Sequence, residues 1–238
     1  MTQSGRVSKV SGELRYTLVR SSRKTVALHI TKDAALEVRA PLKMKEADID
    51  RFVDSKENWI RAHLEKAYAR SIERADFSLD YGSRITLLGD EFPIAAGQGR
   101  SVRFNGTNVF VPPNLDPTQI KRAVVRLYRA IARDTLSERA EHFAGLMGVV
   151  PSGVRINGAK TRWGSCSGKN SINFSWRLVM ADEDVVDYVV VHELAHISEH
   201  NHSPRFWSVV EGILPDYKAR KWKLKKLQEK LAVEDWGE

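Results

Sequence analysis

The run His192-Glu193-Leu194-Ala195-His196 constrains this chain more than any other segment. Two histidines four residues apart share a face only on an α-helix, where they stand about one turn, or 5.4 Å, apart. The flanking residues carry the matching period. At about 100° per residue, Val186, Val190, Leu194 and Ile197 fall on one face, with His192 and His196 on the other side and Tyr188 and Val189 one turn before them. The spacing predicts a helix from near Asp182 to about His200, with an apolar back on the core and a histidine front.

Two imidazoles so placed can reach one tetrahedral ion at about 2.0–2.1 Å, and Glu193 can reach a water on that ion. A catalytic zinc takes three protein ligands and keeps one position open. His200, on a continued helix, would lie about 12 Å along the axis from His192, too far to share the ion. Asn201 suits a left-handed helix stop, and Ser203-Pro204 reads as the cap and first residue of a new helix. His202 then sits in the turn between two helices, where the chain folds back on the metal, and is the candidate third ligand. The spacing matches the longer pattern HExxHxxGxxH, but Glu199 stands where that pattern has its glycine, which argues for a different turn at Asn201. The competing readings are solvent-facing histidines on an amphipathic helix and hydrogen-bonded core histidines.

Elsewhere the sequence alternates strand and helix signals. Tyr16–Arg20, Val26–Ile30 and Leu36–Arg39 read as strands, with a hairpin turn at 31–34. One long helix is expected from Glu46 to about Arg74. Arg84–Leu88, Val102–Phe104 and Asn108–Val111 are further strands, the last two joined at Asn105-Gly106. Pro112-Pro113 marks a soft boundary, giving a β-rich region over 1–112 and a second domain over 113–238. Asp116, Pro117 and Gln119 form a capping box for a helix that Gly148 stops. Val154–Ile156 and Ile172–Phe174 are strands on either side of a turn at Gly168-Lys169-Asn170. Phe206, Val209, Val210 and Ile213 give the helix after His202 an apolar face, and Pro215 opens a basic helix whose buried side is Tyr217, Leu224, Leu227 and Leu231. The fold class expected is α+β.

A single cysteine, Cys166, excludes an intrachain disulfide and fits a reducing compartment. Its expected role is packing, since a cysteine ligand would close the water position on the metal. The stretch 1–18 lacks the apolar core of a signal peptide, and no run approaches the roughly 18 apolar residues of a membrane span. A cytoplasmic protein is the expectation. The net charge of +8 is concentrated between Lys218 and Lys230, where six lysines and Arg220 face only Glu229. That helix is either a solvated face or a site for a polyanion.

Several motifs together resemble one family. RWGSCS at 162–167, INFSWRLV at 172–179, DYVVVHELAH at 187–196 and NHSPRFW at 201–207 are similar to the YgjP-like metallopeptidases, as are VRSSRKTVALHI, RAPLKM and KENWIRAHL nearer the N-terminus. That family is zincin-like and similar to the SprT-like metalloproteases. The resemblance implies a zincin-like catalytic domain, zinc ligands at His192, His196 and His202, and the catalytic glutamate at Glu193. It also implies that Ile172–Trp176 is the strand beside the active-site helix, where an extended substrate pairs.

The expected activity is hydrolysis of a protein or peptide by a zinc-activated water, with Glu193 as general base. Tyr188, Tyr217 and Arg162 are candidates for stabilising the oxyanion. Two other readings compete. One is a metal-dependent nucleoside-triphosphate (UTP) pyrophosphatase, for which the basic helix speaks and the lack of a P-loop does not. The other is a nucleic-acid-associated module with a structural metal, binding through the basic C-terminal helix.

Overall fold

The computed structural model describes residues 6–237. The chain divides into two compact units. One runs to Phe77 and takes back Ala232–Asp235, and the other holds Ser78–Leu231 and Trp236. The division falls at 77/78, ahead of the strands of residues 84–111, whereas the proline pair had suggested 112/113.

The first unit is a four-stranded sheet in the order β1-β2-β4-β3, with two helices. Its strands are β1 (Arg6–Ser11), β2 (Leu14–Ser21), β3 (Ala27–Ile30) and β4 (Leu36–Pro41). Strands β2 and β4 pair in parallel, and the outer pairs are antiparallel. Ala34, at φ 56°, makes the turn between β3 and β4. Alternate residues Leu14, Tyr16 and Leu18, with Leu36, Val38 and Ala40, bury one side of the sheet with Ile49, Val53 and Ile60 of the helices. Strand β1 carried too weak an alternation to be read.

The one long helix expected over 46–74 is two, α1 (Glu46–Asp54) and α2 (Glu57–Asp76). The break has a local cause. The Ser55 hydroxyl donates to Phe52 O, the Lys56 N–H turns back to Val53 O, and Lys56 leaves helical geometry at φ −115°, ψ 11°.

The second unit begins with a sheet in the order β5-β6-β8-β7, from β5 (Arg84–Leu87), β6 (Asp90–Ala96), β7 (Arg103–Phe104) and β8 (Val109–Val111). The β7–β8 turn forms as expected, with Gly106 at φ 92° and Asn105 Oδ1 accepting from the Thr107 and Asn108 N–H groups. Strand β6 was missed because Pro93 interrupts it. Helix α3 (Pro117–Met147) follows with its cap as read. Asp116 accepts from the Gln119 N–H, Gln119 accepts from the Asp116 N–H, and Gly148 closes the helix at φ 63°.

A three-stranded sheet comes next, in the order β10-β11-β9, from β9 (Gly153–Asn157), β10 (Gly164–Cys166) and β11 (Ser171–Ser175). A short 3₁₀ turn, Trp176–Met180, leads to α4 (Glu183–Ser198), α5 (Pro204–Ile213) and α6 (Tyr217–Leu231). Helix α4 is the centre of this unit. Val185, Val186, Val189, Val190, Val191, Leu194 and Ala195 are all buried, so it is apolar nearly all round rather than on one back. Arg139 of α3 grips Asp187 of α4 with two hydrogen bonds of 2.6 Å. Trp236 closes the core, packing against Tyr128 and Trp176 at ring-centroid distances of 5.4 and 6.1 Å. Among the described residues no helix is long and apolar enough to cross a membrane.

Candidate metal centre

The helix that carries His192 and His196 stops at Ser198, and the next begins at Pro204, capped by Ser203, whose side chain accepts from the Phe206 N–H. His202 is in the intervening turn. Its Nε2 stands 3.0 Å from His192 Nε2, and one ligand nitrogen of each of the three histidines lies within 4.8 Å of the others. Two nitrogens held tetrahedrally at 2.0–2.1 Å from zinc stand about 3.3 Å apart, so the His192–His202 approach suits a shared ion. His200 is exposed and outside the cluster.

The turn differs from the one expected. Asn201 does not take positive φ, and the chain leaves the helix at Glu199 in extended geometry, φ −132°, ψ 99°. Glu199 is held there twice. Its carbonyl bonds His196 Nδ1 at 3.1 Å, and its carboxylate pairs with Arg205 at 2.7 Å. The first contact fixes the His196 ring with Nδ1 as donor and frees Nε2 as a ligand atom. The carbonyl contact needs no side chain at 199; only the Arg205 ion pair does.

Phe206 is the floor of the cluster. It is fully buried, and its ring centroid lies 4.9, 4.6 and 4.8 Å from those of His192, His196 and His202. Trp207 stacks on His202 at 5.8 Å and on Tyr217 at 5.2 Å. Burial, then the neighbouring imidazoles, push His192 down to about 3, and His196 is lowered chiefly by burial. Both are neutral near pH 7, as a metal ligand must be.

Glu193 is 7% exposed. Burial lifts its carboxyl to about 7, against the smaller opposing effects of the Arg162 charge and the hydrogen bond it accepts from the Cys166 backbone. Strand β10 approaches it closely. A β-carbon on Gly164 would stand 2.5 Å from Glu193 Cγ and 2.7 Å from Oε1. Gly164 and the Cys166 N–H were not singled out from the sequence. The hint was the RWGSCS motif at 162–167, which holds both residues.

Strand β11 cannot be the strand that takes a partner. Both of its edges are occupied, by β9 in parallel and β10 antiparallel. The edge strand is β10. Ser175 N–H bonds Trp163 O and Ser167 N–H bonds Ser171 O, so by antiparallel alternation Gly164 and Cys166 turn their backbone groups outward.

Of the three oxyanion candidates, Tyr188 is buried with its ring 5.9 Å from that of His192, and burial raises its hydroxyl to about 12. Tyr217 lies behind Trp207, and Arg162 is exposed on the loop before β10. Cys166 is half-buried, outside the histidine cluster, with its thiol donating to Ser167 O at 3.6 Å.

The family model for the YgjP-like metallopeptidase domain matches residues 24–227. No curated protein matches the chain. Among solved structures the chain is similar to the metallopeptidase zymogen abylysin of Pyrococcus abyssi, with 27% identity over 40% of this chain and 94% of that one, at a TM-score of 0.36.

Proposed function

The chain belongs to the YgjP-like metallopeptidase family, an α+β protein with a β-rich N-terminal region ahead of a zincin-like catalytic one, and on that premise we propose that it is a zinc peptidase with His192, His196 and His202 as ligands and Glu193 as general base. The observation that carries this reading is the convergence of three imidazole nitrogens within 4.8 Å beside one buried carboxylate at the edge of β10. An all-nitrogen set of three is the donor chemistry of catalytic zinc, and it leaves one position for water. When bound there, zinc acidifies water and polarises the substrate carbonyl.

The chain's own groups do the rest. Glu193, near 7, takes a proton from the attacking water at its carboxylate and gives it to the leaving amine. Burial keeps that carboxylate dry, and the Cys166 N–H holds its orientation. The outward backbone groups of Gly164 pair with an extended peptide, adding it to the sheet as a strand beside α4.

The test is digestion of an unfolded protein by the zinc-supplied chain, read by mass spectrometry, beside Glu193→Gln. Wild type cuts peptide bonds and the variant does not. Glu193-dependent release of pyrophosphate from UTP, with no peptide cut, would overturn the proposal.

A further inference from the structure

Helix α6 carries positive charge on two faces, and the chain neutralises only one. Lys223 pairs with Asp182 and Asp184, Lys226 with Glu229, and Arg220 with Asp216 and Asp187. Lys218, Lys221 and Lys225 form a second row at intervals of three and four residues. None of them has an ion-pair partner among the described residues. The ammonium of Lys218 instead lies 5.6 Å from the Tyr217 ring centroid, and that of Lys221 lies 4.9 Å from the Trp207 ring centroid. With Trp163, Trp222 and Leu224, the three lysines line an open groove of about 490 Å³.

Two of the lining residues, Lys221 and Trp163, adjoin the candidate centre. Lys221 stands over Trp207, which stacks on His202. Trp163 immediately precedes Gly164, the first residue of the edge strand. Trp163 therefore links the edge strand to the groove it lines.

Resting on the peptidase reading, we propose that this groove is a substrate subsite for acidic side chains, selecting peptides that carry Asp or Glu a few residues from the scissile bond on the Trp163 side. The apolar surfaces of Trp163 and Leu224 take the side-chain methylenes, and the lysine row takes the carboxylates. The row spans about 10 Å of helix, the length of a few extended residues. An acidic peptide suits it better than a nucleic acid, because the adjoining wall is a strand edge that pairs with peptide backbone and offers no ladder to a phosphodiester.

Binding is tested on the zinc-supplied full chain bearing Glu193→Gln, by fluorescence anisotropy. The probes are three decapeptides differing only in Glu, Gln or Lys at the variable positions, and an oligothymidylate of similar length. The Glu peptide binds about tenfold more tightly than the Gln peptide at low salt, and the advantage shrinks as salt rises. In K218E/K221E/K225E, with its thermal melt unchanged, the order of Glu and Lys peptides inverts. No preference among the peptides, including no binding of any, overturns the proposal. So does a preference that survives the charge reversal, or tighter binding of the oligothymidylate. Wild type on a mixed peptide pool separates the two levels. Cutting without acidic preference sinks the subsite and leaves the peptidase reading standing. Binding of the acidic peptide with no cutting of any sinks the peptidase reading and, with it, the groove as a substrate subsite.

Discussion

Gly164 leaves open the space that the Glu193 side chain fills: a β-carbon on the glycine would stand 2.5 Å from the glutamate Cγ and 2.8 Å from Cδ, well inside contact distance. Neither backbone can yield cheaply, since β10 is paired to β11 and Glu193 lies in a buried helix. Gly164→Ala is therefore expected to displace the carboxylate and lower kcat by about 100-fold or more, a cost of roughly 3 kcal/mol in the transition state. Its zinc content should match wild type, because the histidines are not touched. Steady-state kinetics with elemental analysis checks both, and full activity would show that the contact is relieved elsewhere.

In the proposed zinc site, His202 is the ligand that the turn supplies. His202→Ala is expected to lose most of the bound zinc, while His200→Ala, changing an exposed residue outside the cluster, keeps about one ion per chain. Elemental analysis of the purified proteins decides between them. Chelation of wild type should abolish hydrolysis, and added zinc should restore it.

Glu193→Gln should raise the stability of the metal-free protein at alkaline pH. Burial lifts the folded carboxyl from 4.5 to about 7, so between those values the folded state binds more protons than the unfolded one. Stability contributed by the protonated group is whole below about pH 4.5 and is lost as pH rises through 7, an effect on the order of 3 kcal/mol. The variant lacks this titration. Its melting temperature should exceed that of wild type at pH 8 and converge on it by pH 5.

Phe206 touches all three imidazoles from a fully buried position. Phe206→Ala is expected to cost about 3–5 kcal/mol in denaturant unfolding, and to weaken zinc binding as the rings lose their floor. Phe206→Leu, which keeps more of the volume, should cost less on both counts. Equal zinc affinity in wild type and Phe206→Ala would show that the floor does not hold the rings.

The Cys166 thiol is pushed up by burial and then by the Glu193 charge. Its thiolate is correspondingly scarce at pH 7.5. Iodoacetamide should modify it about tenfold more slowly in the native protein than in the denatured chain.

What could be read from the sequence was what neighbours along the chain decide. The capping box at Asp116 and Gln119, the stop at Gly148 and the cap at Ser203 are set within a few residues, and all three form. The choice of His202 over His200 rests on helix rise, which carries His200 too far along the axis, and on that last cap, and the geometry brings His202 into the cluster. Partner choice in the sheets is settled by distant residues. The two free signals at β9 and β11 gave no sign that β10, only three residues long, would take the remaining edge. The requirement for no side chain at Gly164 is set by a helix far along the chain, so the RWGSCS motif marks the segment without giving the reason. The break at Ser55 lay hidden because the apolar residues Ile49, Val53 and Ile60 keep a helical period across it.

Trp236 completes the core of a unit whose other residues begin at Ser78. Until that ring docks, the space beside Tyr128 and Trp176 stays unfilled, although every residue of the histidine cluster and the edge strand has already been made. This interior is therefore sealed by a ring that is translated after the whole histidine cluster, and full packing of the unit waits on it.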